Sequence, residues 1–243
     1  MVGQAGLYSI ILPVYNEEEN LPIVTYHLFK VARKNDLKIE LIVVEDNSTD
    51  RTRELALALE KFYSPHVKLI LRPGKMGLGS AYQAAFAESK GDRVIIMDAD
   101  MSHDPKAIPS MIAKMAETNC DVVFGSRYCE GGGIEGWNFF RKLTSRVANF
   151  LTTEVLRVEV SDFTGSFRLY KREVLERLIG RVENKGYGFQ MEMIVRTSWA
   201  GYKVEEVPIV FVDRVLGASK FGPGEVKAFL RSIWNLFITS RDL

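Results

Sequence analysis

Short apolar runs alternate with helically spaced apolar positions along the first half of the chain. Tyr8 to Leu12 is one such run, stopped by Pro13; Leu21, Val24, Leu28 and Val31 then recur on one helical face. Ile39 to Val44 opens a second unit, with Ser48 as the expected N-cap of a helix carrying Leu55, Leu59 and Phe62. Val67 to Leu71 predicts a third strand, Ser80 to Ser89 a helix, and Arg93 to Met97 a fourth strand. Ile108, Met111, Ile112 and Met115 mark another helix, and Asp121 to Gly125 a fifth strand. Strands and helices alternating at these lengths predict an α/β fold: a Rossmann-like, mostly parallel central sheet flanked by helices.

After Ser126 the alternation stops. A stretch containing Gly131, Gly132, Gly133 and Gly136 is expected as loop, followed by a helix from Phe139 to Thr153. Gly180 to Gly188 is another expected loop. A strand at Phe167 to Tyr170, helices at Arg172 to Ile179 and Gln190 to Ala200, a strand from Val204 to Val212 and a final helix from Glu225 to Ser240 complete the pattern. No Pro/Ser-rich linker divides the chain, so residues 1–243 are expected as one domain. The regular alternation covers residues 8–126, and the irregular remainder is 127–243.

Composition narrows the function. The 32 basic and 31 acidic side chains nearly cancel, which predicts no nucleic-acid partner and makes any charged site local. Cys120 and Cys129 form neither a CxxC pair nor a disulfide framework. No basic-then-apolar leader precedes Tyr8 and no apolar run reaches the ~18 residues that span a bilayer, so no inserted anchor is expected.

The chemistry should lie beyond the carboxyl ends of the parallel strands, where loops and helix N-termini converge. Glu17 follows the first strand, Glu45 and Asp46 end the second, and Asp98-Ala99-Asp100 ends the fourth. Acids at i and i+2 leaving a strand can both reach one hard cation, and Mg2+ or Mn2+ fits such oxygen ligands. Asp100 is expected at a solvent-facing strand end, and His103 in a solvated loop. The stretch Gly74-Lys75-Met76-Gly77-Leu78-Gly79-Ser80 places its lysine too early for a phosphate-binding P-loop, and Tyr82 stands where a dinucleotide fingerprint needs glycine. It is expected as a turn that starts a helix close to the sheet. Arg127, Arg141 and Arg146 lie beyond the fifth strand, and Arg214 and Lys220 sit in a Gly-containing loop suited to a lid over a diphosphate.

Pro13-x-Tyr15-Asn16-Glu17, the Glu45-Asp46 pair, Asp98-Ala99-Asp100 and Gly125-Ser126-Arg127 together resemble glycosyltransferase family 2 with its GT-A fold. Ser161 to Tyr170, Gly188 to Met193, Val207-Pro208-Ile209 and Phe211 to Arg214 with Ser219-Lys220 are similar to the dolichyl-phosphate mannose synthases within that family. The resemblance runs from about Tyr8 to Ser240 and implies one GT-A domain whose residues 8–126 are the nucleotide-sugar-binding half and 127–243 the acceptor-side half.

It implies that Pro13, Tyr15, Glu17, Val44 and Asp46 hold the nucleoside, and that Asp98 and Ala99 contact ribose and diphosphate. Asp100 is the implied metal ligand, with Asp98 and Ser102 completing the metal set. Arg127, Arg214 and Lys220 are implied at the donor diphosphate or acceptor phosphate. Glu45 stands where the family often has Asp, and Ser102 where some members have Gln. The implied reaction is an inverting transfer of mannose from GDP-mannose to dolichyl phosphate. Asp162 and Glu192 are expected to organise the acceptor arginines rather than abstract protons.

The first-half motifs leave open a glucosyltransferase using UDP-glucose, or a non-catalytic nucleotide-sugar-binding subunit. Members of the resembled family without membrane spans depend on small membrane-embedded subunits. The apolar surface expected on the final helix would dock such a partner or the membrane surface. For a eukaryotic source this places the chain at the cytosolic face of the endoplasmic reticulum.

Overall fold

A computed structural model of the chain describes residues 6–184, 186, 188–213 and 223–239. In chain order these form β1 (Tyr8–Val14), α1 (Asn20–Lys34), β2 (Ile39–Glu45), α2 (Thr52–Phe62), β3 (Val67–Leu71), α3 (Leu78–Glu88), β4 (Arg93–Ile96), α4 (Ile108–Thr118) and β5 (Val122–Ser126). There follow β6 (Gly133–Glu135), α5 (Phe139–Leu156), β7 (Arg168–Lys171), α6 (Arg172–Ile179), α7 (Gly188–Trp199), β8 (Val204–Pro208), β9 (Val210–Val212) and α8 (Pro223–Thr239).

Seven strands make one sheet in the order β3-β2-β1-β4-β7-β5-β8. β1 pairs in parallel with β2 and β4, β2 with β3, and β5 with β8; β7 alone runs antiparallel, between β4 and β5. The pleat sorts alternate residues to opposite faces. Ile10 and Leu12 join a core with Leu21 and Leu28 of α1 and Met111 of α4, whereas Ile11, Ile42 and Val44 join one with Tyr82 of α3, Leu175 of α6 and Phe189 of α7. A third cluster, including Phe124, Phe163, Met191, Ile233 and Leu236, packs α7 and α8 against β5 and the segment after α5. The predicted mostly parallel sheet with helices on both faces is therefore what the chain builds.

Four local expectations change. Ser48 does not cap α2, which begins at Thr52, because the Ser48 hydroxyl accepts from the Asn16 backbone N–H (3.0 Å). The single strand expected from Val204 to Val212 breaks at Ile209. Pro208 has no N–H with which to extend the ladder, and the chain turns so that the Ile209 N–H donates to Ser126 O (3.0 Å) while its carbonyl accepts from Gly133 (3.0 Å). A Cβ on Gly125 would lie 2.8 Å from Ile209, so this crossing needs glycine there. The glycine-rich stretch is not all loop, since its Gly133–Glu135 segment pairs in parallel with β9 as a separate two-stranded sheet. α7 starts at Gly188, two residues earlier than expected.

The largest fully buried side chain is Arg168, whose guanidinium donates to the carbonyls of Gly165 (2.9 Å), Gln190 (2.6 Å) and Phe163 (3.1 Å). It ties the loop before β7 to α7. Arg168→Met keeps the apolar stem and orphans three buried carbonyls, at about 1–3 kcal/mol each. Urea unfolding should show a loss of at least ~3 kcal/mol, against at most ~0.5 kcal/mol for the exposed Arg53→Met.

Candidate active site

The parallel strands end on one edge of the sheet, and the antiparallel β7 begins there, so the 161–167 loop meets the loops leaving β4 and β5. On the β1 and β2 side, Glu17 is buried. Its carboxylate accepts from Asn20 Nδ2 (2.8 Å) and its N–H donates to Thr52 Oγ1 (2.8 Å), clamping the loop after β1 to the start of α2. Asp46 donates its N–H to Val14 O (3.2 Å), and both its carboxylate oxygens accept from Arg72 at 2.5 Å. Pro13 and Tyr15 flank this point, half-buried. Glu45 is fully buried and accepts from the Ser48 N–H through Oε1 (2.5 Å). Val44 lies wholly in the core, so only its backbone can serve a ligand.

At the end of β4, Asp98 Oδ2 accepts from Ser166 Oγ (2.6 Å), and the Asp98 N–H donates to His103 Nδ1 (3.2 Å). Ala99 is buried in the core. Asp100 is buried rather than solvent-facing: Oδ1 accepts from the Ser102 N–H (3.1 Å) and hydroxyl (2.5 Å), in a turn set by Met101 at φ 63°. His103 is likewise buried, not solvated, because its ring stacks on Phe167 (5.1 Å) and meets the edge of Phe211 (5.8 Å). Among the described residues no three His, Cys, Asp or Glu side chains form a metal cage. Two carboxylates and a hydroxyl suit a hard cation that takes its remaining ligands from water and substrate phosphate, as Mg2+ usually does.

Across β7, Arg127 is buried and forks Asp162 through Nε (2.6 Å) and Nη2 (2.7 Å), with Nη2 also donating to Thr164 Oγ1. Burial alone would push the Asp162 carboxyl up. The Arg127 charge and the N–H groups of Arg127 and Thr164 outweigh it, holding Asp162 below the usual carboxylate range. Burial likewise opposes the charge on Arg127, and Asp162 reverses that too. Arg141 bonds both oxygens of Asp213 (3.0 and 2.9 Å) and stacks over Trp137 (4.1 Å). Arg146 lines a cavity of about 390 Å³ with Arg127, Tyr128, Asn149 and Ser161. Glu192 binds Arg196 (2.7 Å) and the N–H groups of Glu183 and Asn184 (3.0 Å each), fixing the entry to α7. Its arginine partner is thus Arg196 of its own helix, whereas Asp162 holds Arg127. Arg214 and Lys220 lie outside the described residues.

Arg72 and Trp137 are rim residues that the sequence analysis does not name, and Ser166 and Phe211 lie in its resembled segments without a role of their own. Arg72 follows β3, so the rule that selects Asp46 would have reached it had cations been sought beside the acids. Asp162→Ala strands the Arg127 charge, and breaking such a buried pair costs about 3–5 kcal/mol. Because the folded Asp162 titrates below its unfolded range, that stability is present at neutral pH and lost as pH falls through the folded value. Urea melts should give a wild-type advantage over Asp162→Ala that is flat near pH 7 and shrinks in acid.

The 9–179 segment matches the model of the glycosyl transferase family 2. A polyprenol monophosphomannose synthase of Mycolicibacterium smegmatis is 36% identical over 222 residues, 90% of this chain and 82% of the relative. An undecaprenyl-phosphate mannosyltransferase of Micrococcus luteus is 36% identical over 220 residues, 89% and 88% of the two chains. In fold, the chain is similar to glucosyl-3-phosphoglycerate synthase from Mycobacterium tuberculosis in complex with Mn2+, UDP and phosphoglyceric acid. That structure has a TM-score of 0.71 at 21% identity, with 98% of this chain and 78% of the other covered. The same enzyme with Mg2+ and UDP gives 0.68 at 20% identity, covering 98% and 79%. With the GT-A sheet, the acidic rim and the matched segment in agreement, the chain belongs to glycosyl transferase family 2.

Proposed function

We propose that the chain transfers mannose from GDP-mannose to a polyprenyl phosphate, with dolichyl phosphate as acceptor and a β-linked mannosyl phosphate as product. The observation that carries this reading is the 36% identity, over about nine-tenths of the chain, to two enzymes named for mannosyl transfer to polyprenyl acceptors. In this reading Pro13, Tyr15, Glu17, the Val44 backbone and Asp46 hold the nucleoside, and Asp98 and Ala99 lie at ribose and diphosphate. Asp98 and Asp100, beside Ser102, would hold Mg2+ or Mn2+, which when bound would supply positive charge at the departing diphosphate.

The acceptor oxygen forms a bond to the anomeric carbon as the bond to the diphosphate breaks, with inversion. A phosphate monoester has its second pKa near ~6 and is largely ionised at neutral pH, so no side chain need remove a proton. The protein must instead hold two anions together. Arg127 is oriented for this by the Asp162 fork, which leaves Nη1 out of its bonding. Arg141, Arg214 and Lys220 add further charge around the transferred group.

The acceptor is a membrane lipid, and the acceptor side carries the exposed apolar surface. α5 exposes Phe140, Val147 and Phe150, and α8 exposes Leu230, Trp234 and Ile238. Among the described residues no helix is long and apolar enough to cross a membrane. Docking of this face on the bilayer, or on a small membrane-embedded partner subunit, brings the site to its acceptor. In a eukaryotic cell the surface is the cytosolic face of the endoplasmic reticulum. Ile233 and Leu236 of α8 are core residues, so the face is tested by point changes rather than truncation.

Turnover of GDP-mannose should exceed that of UDP-glucose on dolichyl and undecaprenyl phosphates assayed side by side; preference for UDP-glucose overturns the donor. Asp100→Asn, which retains an acceptor for Ser102, should keep the wild-type melting temperature and lose turnover by ~10²-fold or more; near wild-type rates would remove Asp100 from the metal set. Phe150→Glu with Trp234→Glu should abolish flotation with liposomes without changing GDP binding, and unaltered flotation would place docking elsewhere.

A further inference from the structure

The loop between β3 and α3 reaches the nucleoside side of the rim, yet none of its residues has a role in the transfer above. It is braced at both ends. Arg72, just past β3, spends Nε and Nη2 on Asp46 and Nη1 on Ser80 Oγ (2.7 Å). The Ser80 hydroxyl bonds back to the carbonyls of Met76 and Gly77 (2.8 Å each). Gly77 sits at φ 90°, ψ 152°, a backbone shape that only glycine adopts readily. From this frame Lys75 projects, exposed, with its Nζ 3.5 Å from the centroid of the Tyr15 ring.

We infer that Lys75 is a base-reading residue of the donor subsite. Its ammonium donates to the ring carbonyl oxygen of a keto nucleobase stacked at Tyr15, beside the ring N–H that Asp46 accepts. This rests on the proposed role of Tyr15 and Asp46 at the nucleoside. Guanine and uracil both present an N–H next to a C=O, whereas adenine presents an amino group next to an unprotonated ring nitrogen. A carboxylate beside a cation matches the first pattern and opposes the second. Arg72 is buried and fixed, with each of its three nitrogens already donating within the protein, so few of its five N–H groups are left for a base, whereas the Lys75 ammonium is exposed. Lys75 is held only by the π face of Tyr15, and base stacking on an aromatic ring is stronger than an exposed cation–π contact. An arriving base therefore takes the ring, and the flexible lysine stem carries the ammonium to its edge.

Calorimetric titration of GDP, ADP and inorganic pyrophosphate in Mg2+ tests this on the full chain. Wild-type should bind GDP more tightly than ADP. Lys75→Ala should weaken GDP about 10-fold, the worth of one hydrogen bond from a charged donor, while ADP and pyrophosphate stay unchanged. Lys75→Arg should recover much of the loss. In turnover the donor KM should rise with kcat held, and the melting temperature should not move. An unchanged GDP affinity overturns the assignment, as does an equal loss for pyrophosphate, which would place Lys75 on the phosphates. A wild-type chain that binds neither GDP nor UDP, titrated in the same way, overturns the donor reading itself, and that failure is visible before any variant is made.

Discussion

One antiparallel strand decides how the site is assembled. All six other strands of the sheet bring their carboxyl ends to the rim, but β7 runs the other way between β4 and β5. Its amino end is therefore at the rim, and the segment before it must arrive where β4 and β5 end. That segment delivers Ser166 to Asp98 and Asp162 to Arg127. Arg168, the first residue of β7, holds it from beneath through buried carbonyls. Asp98 and Arg127, an acid and a cation on the two sides of the loop, are thus positioned by contacts four residues apart.

The rim is preorganised through hydrogen bonds to its charged groups. Asp46 is forked by Arg72, Asp162 forks Arg127, and Arg141 meets Asp213. Each pair removes conformational freedom before a ligand arrives, so less of the binding energy is spent on ordering side chains. It also separates like charges along the rim.

The alternating half of the chain was legible because its strands are short, apolar and separated by helices with clear apolar faces. The same regularity located Glu17, Asp46, Asp98 and Asp100, since acids immediately after parallel strands share one edge. Beyond Ser126 the signals weaken. β6 is three residues within a glycine cluster, and the break at Ile209 depends on Pro208 and on the space left by Gly125, a contact between distant segments that periodicity cannot register. His103 illustrates the same limit: its burial is imposed by Phe167 and Phe211, 64 and 108 positions away by number.

The small two-stranded sheet has a mechanical consequence. β6 leads through Trp137 into α5, and β9 leads through Asp213 towards the segment that carries Arg214 and Lys220. The two paths are joined by the β6–β9 ladder, by Trp137 against Phe211 and by the Arg141–Asp213 pair. The apolar helix and Asp213, the last described residue before Arg214, therefore form one lever: a load placed on α5 is borne by the same contacts that hold Asp213.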